Sequence, residues 1–389
     1  MRKTHILAAV AAAGFAAATV GFAPAQAAGV PVTAVRAAEG VRPIAGDYIV
    51  QLRAGANPRG LAQVLGAQPS AVYEYAVNGF AATLNPGQLR ALQRDPAVLK
   101  ISQDAWVDNA TETTQPNPPA WGIDRIDQAN LPLSNSYTYT TTGAGVHAYV
   151  IDTGIDVSHP QFQGRAIWEF NAIGGKSTDC DGHGTHVAGT IGSALYGVAK
   201  GVTLHAVKIL NCAGGGRTSA TIKGVDWVTG HAVKPAVANT SWNWTFDATL
   251  ATALTNMINS GVFLATSAGN TGADSCDRLP RNITAALAVA ATESNDARAS
   301  YSSTGACVDI YAPGSGILST LPGNTTALFS GTSMATPHAA GLAVLYKARF
   351  GDTSQAALEA WIISNATTGV VGGNLAGTPN RLIFKDPTL

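Results

Sequence analysis

The chain has 389 residues, 46% hydrophobic and only 12% charged, which is about half the usual charged share and favours a large buried core with short polar loops. It is too long for one small domain and has room for two or three units. Its 24 basic and 24 acidic residues cancel, and no basic stripe is present, so nucleic acid is not an expected partner.

Residues 1–28 are built like a secretory signal peptide. Arg2 and Lys3 form a basic start, Ile6 to Phe22 is an Ala-rich apolar run, and Ala25-Gln26-Ala27 supplies small residues at cleavage spacing. The chain is therefore expected to be secreted. No later segment has the uninterrupted apolar length of a membrane span, so no membrane anchoring is expected. Export permits disulfides. The four cysteines, Cys180, Cys212, Cys276 and Cys307, allow three pairings. Either sequential pair would close a loop worth roughly 3 kcal/mol.

Residues 29–43 are Ala/Val-rich and suggest a flexible lead. A small α+β pattern follows, with a strand over Asp47 to Leu52 and another over Asn78 to Leu84. Asn85 suits a helix N-cap, with Pro86 at the first helical position, and Asp95-Pro96 stops that helix. A third strand begins at Val98. The unit is small enough to need a partner surface. Asp108 to Ala120 is polar, rich in Thr and Pro and unpatterned, and is expected to be an exposed linker open to nicking.

Beyond the linker, apolar runs at Val146 to Ile151, Thr203 to Leu210, Ala236 to Asn239 and Gly261 to Thr266 alternate with helical stretches. Near-continuous apolar strands separated by helices predict a parallel sheet covered on both faces, an α/β doubly wound arrangement. Sites in such sheets form beyond the carboxyl ends of the strands. Asp152 ends one strand, His183 lies at a helix entrance, and Ser333 lies at a later helix entrance fixed by Pro337. A hydroxyl there meets unpaired N–H groups and the positive end of the helix dipole. Serine is a weak nucleophile alone, so a base and a group to orient it are needed beside it. His183 and His186, with Cys180 nearby, form an alternative metal-ligating set, although the expected Glu base is missing. A lipase is disfavoured because Ser333 lacks a Gly-x-Ser-x-Gly elbow.

The motifs Val150-Ile151-Asp152-Thr153-Gly154, Gly182-His183-Gly184-Thr185-His186-Val187-Ala188-Gly189 and Gly331-Thr332-Ser333-Met334-Ala335-Thr336-Pro337-His338 resemble the subtilases. The likeness runs from about Trp121 onward and is greatest to the proteinase K and aqualysin branch. The resemblance implies an Asp152–His183–Ser333 triad, with Asn270 as side-chain oxyanion donor. Residues around Asn78 to Leu84, Gln88 to Leu92, Asp95-Pro96 and Gln103-Asp104 resemble the family's inhibitor-type propeptide. Implied domains are a signal peptide (1–28), a ferredoxin-like propeptide (29–110, core about 46–109) and a subtilisin-like peptidase domain (111–389). The implied partners are polypeptide substrates and the chain's own propeptide, an intramolecular inhibitor removed by a cut near Asn109–Thr114. A monomer is expected.

On the same basis the resemblance selects Cys180–Cys212 and Cys276–Cys307, and it implies structural calcium with no catalytic cofactor. One calcium set is Asp309 with Thr284 and Ala286. The other is Asp124, Asp127, Gln128, Ser134 and Ser136, oxygen donors that suit calcium. Substrate would pair between Gly214-Gly215-Gly216 and a segment beginning at Ser241, with Ser267, Ala268 and Gly269 alongside. In the family that second segment normally reads Ser-Leu-Gly-Gly. Here it is Ser241-Trp242-Asn243-Trp244, so Asn243 places a side chain where a glycine lines the pocket. The change predicts a smaller or more polar pocket that turns away from bulky aromatic side chains. The alternatives are a rebuilt loop with little change in preference, and a catalytically impaired peptide-binding protein on the same scaffold.

Overall fold

The computed structural model describes residues 29–33, 41–107 and 112–389. The expected signal peptide, and residues 108–111 of the expected cut region, lie outside them. The chain divides into two compact units, one built around Ala45–Asp104 and one around Ala105–Leu389.

The smaller unit carries a five-stranded sheet in the order Val32–Thr33, Val98–Val107, Val41–Leu52, Gly79–Thr83, Pro69–Tyr73. Its core is Val50, Phe80, Leu92, Ile101 and their neighbours. The helix Pro86–Arg94 starts as expected, with Asn85 Oδ1 accepting from the Gln88 N–H at 3.0 Å and Gln88 Oε1 accepting from the Asn85 N–H at 2.9 Å. This reciprocal pair satisfies two otherwise orphaned donors. A second helix, Pro58–Val64, has a one-way cap, with the Asn57 side chain accepting from the Gly60 N–H at 3.0 Å.

The larger unit is organised on a nine-stranded sheet. Its order is Thr367–Thr368, Arg381–Leu382, Ile310–Pro313, Leu287–Thr292, Val262–Ser267, Ala236–Thr240, His147–Asp152, Thr203–Lys208, Ala166–Asn171. Every neighbouring pair is parallel except the terminal Thr367–Thr368 strand. Successive side chains face opposite sides. Along the strand His147–Asp152, Ala148 and Val150 join a core containing Val187, Ala339 and Leu342 from the helices His183–Gly192 and Thr332–Phe350. Tyr149 and Ile151 join a second core with Val225 and Leu254 from Thr218–His231 and Ala248–Asn259. The expected two-sided burial of a parallel sheet is present.

Three expectations change. The lead over 29–43 is not wholly unpatterned, because Val32–Thr33 pairs with Ile101-Ser102 and a strand begins at Val41. Asp108 to Ala120 is not wholly an unpatterned linker, because Thr113–Pro116 pairs antiparallel with Ser136–Tyr139. Buried Tyr137 anchors that ribbon through a 2.7 Å hydrogen bond to the Val198 carbonyl. Pro337 does not occupy the first turn either, since the helix runs from Thr332 to Phe350 and carries Pro337 inside it. Proline lacks the N–H that would bond back to the carbonyl four residues earlier. That carbonyl belongs to Ser333, and it accepts from Ser241 Oγ at 3.1 Å instead.

Candidate active site

The chain moves from His147–Asp152 to one side of the sheet, then returns to add Ala236–Thr240 on the other side. Between these two strands the order reverses, and a crevice opens beyond their carboxyl ends. Asp152 ends the first strand, and Ser241 directly follows the second.

The helix His183–Gly192 comes close enough to bring His183 to Asp152 because residue 184 is glycine. A Cβ there would lie 2.1 Å from the Gly154 carbonyl oxygen and 3.2 Å from Asp152 Cβ. His183 Nδ1 and Asp152 Oδ1 are 2.8 Å apart, Asp152 is fully buried, and the His183 side chain is 24% exposed. Burial lowers the His183 pKa, but the Asp152 charge and hydrogen bond, with the Asp181 and Asp179 charges, raise it above its ordinary value. Asp152 Oδ1 also accepts from the Thr153 N–H at 2.7 Å, which fixes the carboxylate that orients the imidazole.

Asp179 was not foreseen from sequence. Its buried carboxylate accepts from the N–H groups of Asp181, Gly182 and Thr185, and from the hydroxyls of Thr153 and Thr185. It thus holds the helix entrance that presents His183. Its only sequence signal was an Asp just ahead of a helix start, a capping pattern.

Ser333 is 8% exposed, and its Oγ donates to the Ser241 carbonyl at 3.0 Å. With the return bond from Ser241 Oγ, the two serines form a reciprocal clasp. Ser241 and His183 line the same cleft, of about 390 Å³, together with Thr153, Asp181, Leu210 and Gly214 to Gly216. The structure therefore joins Asp152 to His183 directly, and joins Ser333 to the His183 cleft through Ser241.

Asn270 is locked by the residue before the serine. Its Oδ1 accepts from both the N–H and the hydroxyl of Thr332, each at 2.9 Å. The amide Nδ2 must then face the other way. A point one bond off Gly331 Cα lies 3.4 Å from Asn270 Nδ2 and 3.6 Å from the Ser333 nitrogen. Both nitrogens thus lie on the same side of Gly331, next to the serine. Thr332, also unforeseen, accepts from the Gly269 N–H at 3.1 Å and ties both segments together.

Of the predicted pocket residues, Gly214 to Gly216 line the cleft. Trp242 is largely buried, and its indole N–H donates to the Ile151 carbonyl at 2.8 Å. Ser267 and Ala268 are buried behind the wall, with Ser267 Oγ donating to the Trp242 carbonyl at 3.5 Å. Asn243 is exposed in the cleft and accepts from Arg281.

Both disulfides, Cys180–Cys212 and Cys276–Cys307, are formed. Among the described residues no group of three or more His, Cys, Asp or Glu side chains could hold a metal ion. The His183–His186–Cys180 alternative fails on its own geometry, because Cys180 is in a disulfide and His186 Nε2 bonds the Ile317 and Ala327 carbonyls. Burial lowers the His186 pKa to about 4.

At the first expected calcium set, Asp124 accepts from the Ser134 N–H and hydroxyl and from the Asn135 N–H, and Gln128 Oε1 accepts from the Ser134 N–H. Ser134 Oγ and Ser136 Oγ are 2.8 Å apart. Asp127 Oδ2 accepts from the Thr138 N–H, whereas its Oδ1 is buried without a partner. At the second set, Asp309 Oδ2 accepts from the Ala288 N–H at 2.7 Å, and burial raises its pKa to about 7. Thr284 is exposed and Ala286 buried near the start of the strand Leu287–Thr292.

The chain resembles known proteins along most of its length. The profile of the subtilase family matches residues 143–381, and that of the peptidase inhibitor I9 family matches residues 61–109. The chain is 46% identical to an extracellular serine proteinase of Thermus sp. (strain Rt41A), over 84% of this chain and 82% of that protein. It is 44% identical to alkaline serine exoprotease A of Vibrio alginolyticus, over 82% and 60%, and 43% identical to a cuticle-degrading protease of Metarhizium anisopliae, over 80% and 82%. Among solved structures, a cold-adapted subtilisin-like serine proteinase superposes with a TM-score of 0.67 at 44% identity, covering 68% of this chain and 98% of that one.

Proposed function

The chain belongs to the subtilase family and is a serine endopeptidase with an I9-type propeptide, and from that premise we propose that it is secreted as a zymogen whose nucleophile is Ser333. Ser333 Oγ attacks the scissile carbonyl while His183 takes its proton through Nε2. The resulting imidazolium is stabilised by Asp152 and later protonates the leaving amine. Asn270 Nδ2 and the Ser333 N–H receive the oxyanion. The observation that carries this assignment is the 2.8 Å bond between His183 Nδ1 and buried Asp152, beside the serine clasp.

The apolar, small-residue-ended start of the sequence supports export, and no described helix is long and apolar enough to cross a membrane. The proposed domains are a signal peptide over 1–28, a propeptide over 29–110 and a peptidase over 111–389, acting as a monomer. The propeptide serves as intramolecular inhibitor until it is cut near Asn109–Thr114. Asp127, with Asp124, Gln128, Ser134 and Ser136, would hold one structural calcium ion. The fit rests on the orphaned buried oxygen of Asp127, which a hard cation would satisfy. Asp309, held by a single backbone N–H, would hold another with the Thr284 and Ala286 carbonyls. Calcium there stabilises the fold and takes no part in the reaction.

Mass spectrometry of the exported protein beside its Ser333→Ala variant tests the assignment. Wild type should begin near Asn109–Thr114 and the variant should keep its propeptide. Identical processing of both would contradict autocatalysis by Ser333.

A further inference from the structure

Arg281 is 2% exposed, yet no carboxylate pairs with it among the described residues. Its Nε donates to the Ser275 carbonyl at 2.7 Å and its Nη1 donates to Asn243 Oδ1. Its Nη2 has no hydrogen-bond partner in the described structure, and a Cβ on Gly269 would lie 2.9 Å from that atom. The nearest charged neighbours, Arg278 and Asp277, are an exposed pair 4.0 Å apart that largely offset each other. A buried guanidinium supported only by neutral oxygens is expensive and calls for an anion or a strong acceptor.

Its location says which acceptor. Two segments flank Ser333. One begins at Ser241, whose carbonyl receives the Ser333 hydroxyl, and the other is Ala268 to Asn270, tied to Thr332. Arg281 touches both, through Asn243 on one side and Gly269 on the other. It therefore bridges the two segments. Guanidinium groups only donate, so the Asn243 atom facing Arg281 must be the carbonyl oxygen. That leaves Asn243 Nδ2, which has no partner, as the donor presented to the cleft that Asn243 lines.

Building on Ser333 as the nucleophile, we propose that Asn243 and Arg281 form an acceptor-binding pocket for the substrate side chain immediately before the cut, with glutamate preferred and glutamine next. The substrate carboxylate accepts from Asn243 Nδ2, and from Arg281 Nη2 where the Asn243 side chain yields. Glutamate carries its acceptor one methylene further from the backbone than aspartate does. Phenylalanine offers no acceptor to either donor.

The test uses mature protein and peptide p-nitroanilides that differ only in the residue before the cut: Glu, Gln, Asp, Leu and Phe. Competent Ser333 is counted first with a fluorophosphonate probe. We expect Glu to lead in kcat/KM, and Arg281→Met and Asn243→Gly each to lower the Glu-to-Phe ratio by roughly 10- to 100-fold. A labelled enzyme that favours Phe or Leu overturns the pocket and leaves the nucleophile standing, as does a ratio unmoved in both variants. If Arg281→Met fails to fold, the wild-type ranking and Asn243→Gly decide. Absence of labelling overturns the nucleophile and the pocket with it.

Discussion

Replacing Asn270 separates catalysis from stability. Its Nδ2 is the proposed oxyanion donor, while its Oδ1 accepts two 2.9 Å bonds from Thr332. Losing an oxyanion donor costs roughly 100- to 1,000-fold in kcat, or about 2.7–4 kcal/mol of transition-state stabilisation. Losing two neutral hydrogen bonds costs about 1–3 kcal/mol of stability. Asn270→Ala should therefore suffer both losses. Asn270→Asp keeps an acceptor for Thr332 but replaces the donor with an anionic oxygen. It should lose at least as much kcat as Asn270→Ala with a much smaller loss of thermal half-life. KM should change little in either variant, because the interaction forms only in the transition state. The assay is kcat and KM per titrated Ser333, with thermal inactivation measured alongside. An Asn270→Asp enzyme within fivefold of wild-type kcat would refute the oxyanion assignment.

The pH profile follows from His183. Catalysis needs the neutral imidazole, and its pKa is raised chiefly by Asp152 against the lowering effect of burial. Activity should rise with pH along a limb above the ordinary imidazole range, and Asp152→Asn should move that limb to lower pH while reducing kcat by roughly 10⁴-fold. An unmoved limb would mean another group titrates. Replacing both Cys276 and Cys307 by Ser removes a cross-link spanning 31 residues, worth about 3–4 kcal/mol; the mature enzyme should inactivate faster on heating, and an unchanged half-life would show that the bridge adds nothing. Chelation should likewise shorten the thermal half-life of mature wild type, and added calcium should restore it. If chelation leaves the half-life unchanged, the proposed calcium sites are wrong.

The parts of the site that were legible in the sequence are short contiguous strings. Asp152 ends an apolar strand, His183 stands between two glycines at a helix entrance, and Ser333 follows Gly331-Thr332 at another, so chain order and local pattern place all three. Thr332 and Arg281 escaped because their roles exist through distant partners, and Asp179 because its local caps say nothing of its bond across to Thr153. Asp179 bonds Thr153, 26 residues away in the chain, and Arg281 bonds Asn243, 38 residues away. The Asn243 departure pointed to a changed pocket, but only the Arg281 contact gives it a polarity. Local pattern also misled. Thr113–Pro116 has no apolar alternation, and its pairing with Ser136–Tyr139 depends on the tertiary anchor at Tyr137. Asn57-Pro58 carries the same cap signal as Asn85-Pro86 but heads a helix of only 7 residues, too short to show a clear period.

Labelling of processed, mature protein with a serine-directed fluorophosphonate tests the central claim most directly. The account predicts one adduct, mapped by peptide mass spectrometry to Ser333, and its loss in protein processed in trans and carrying Ser333→Ala or His183→Ala. An adduct at another residue, or labelling undiminished by His183→Ala, would contradict it.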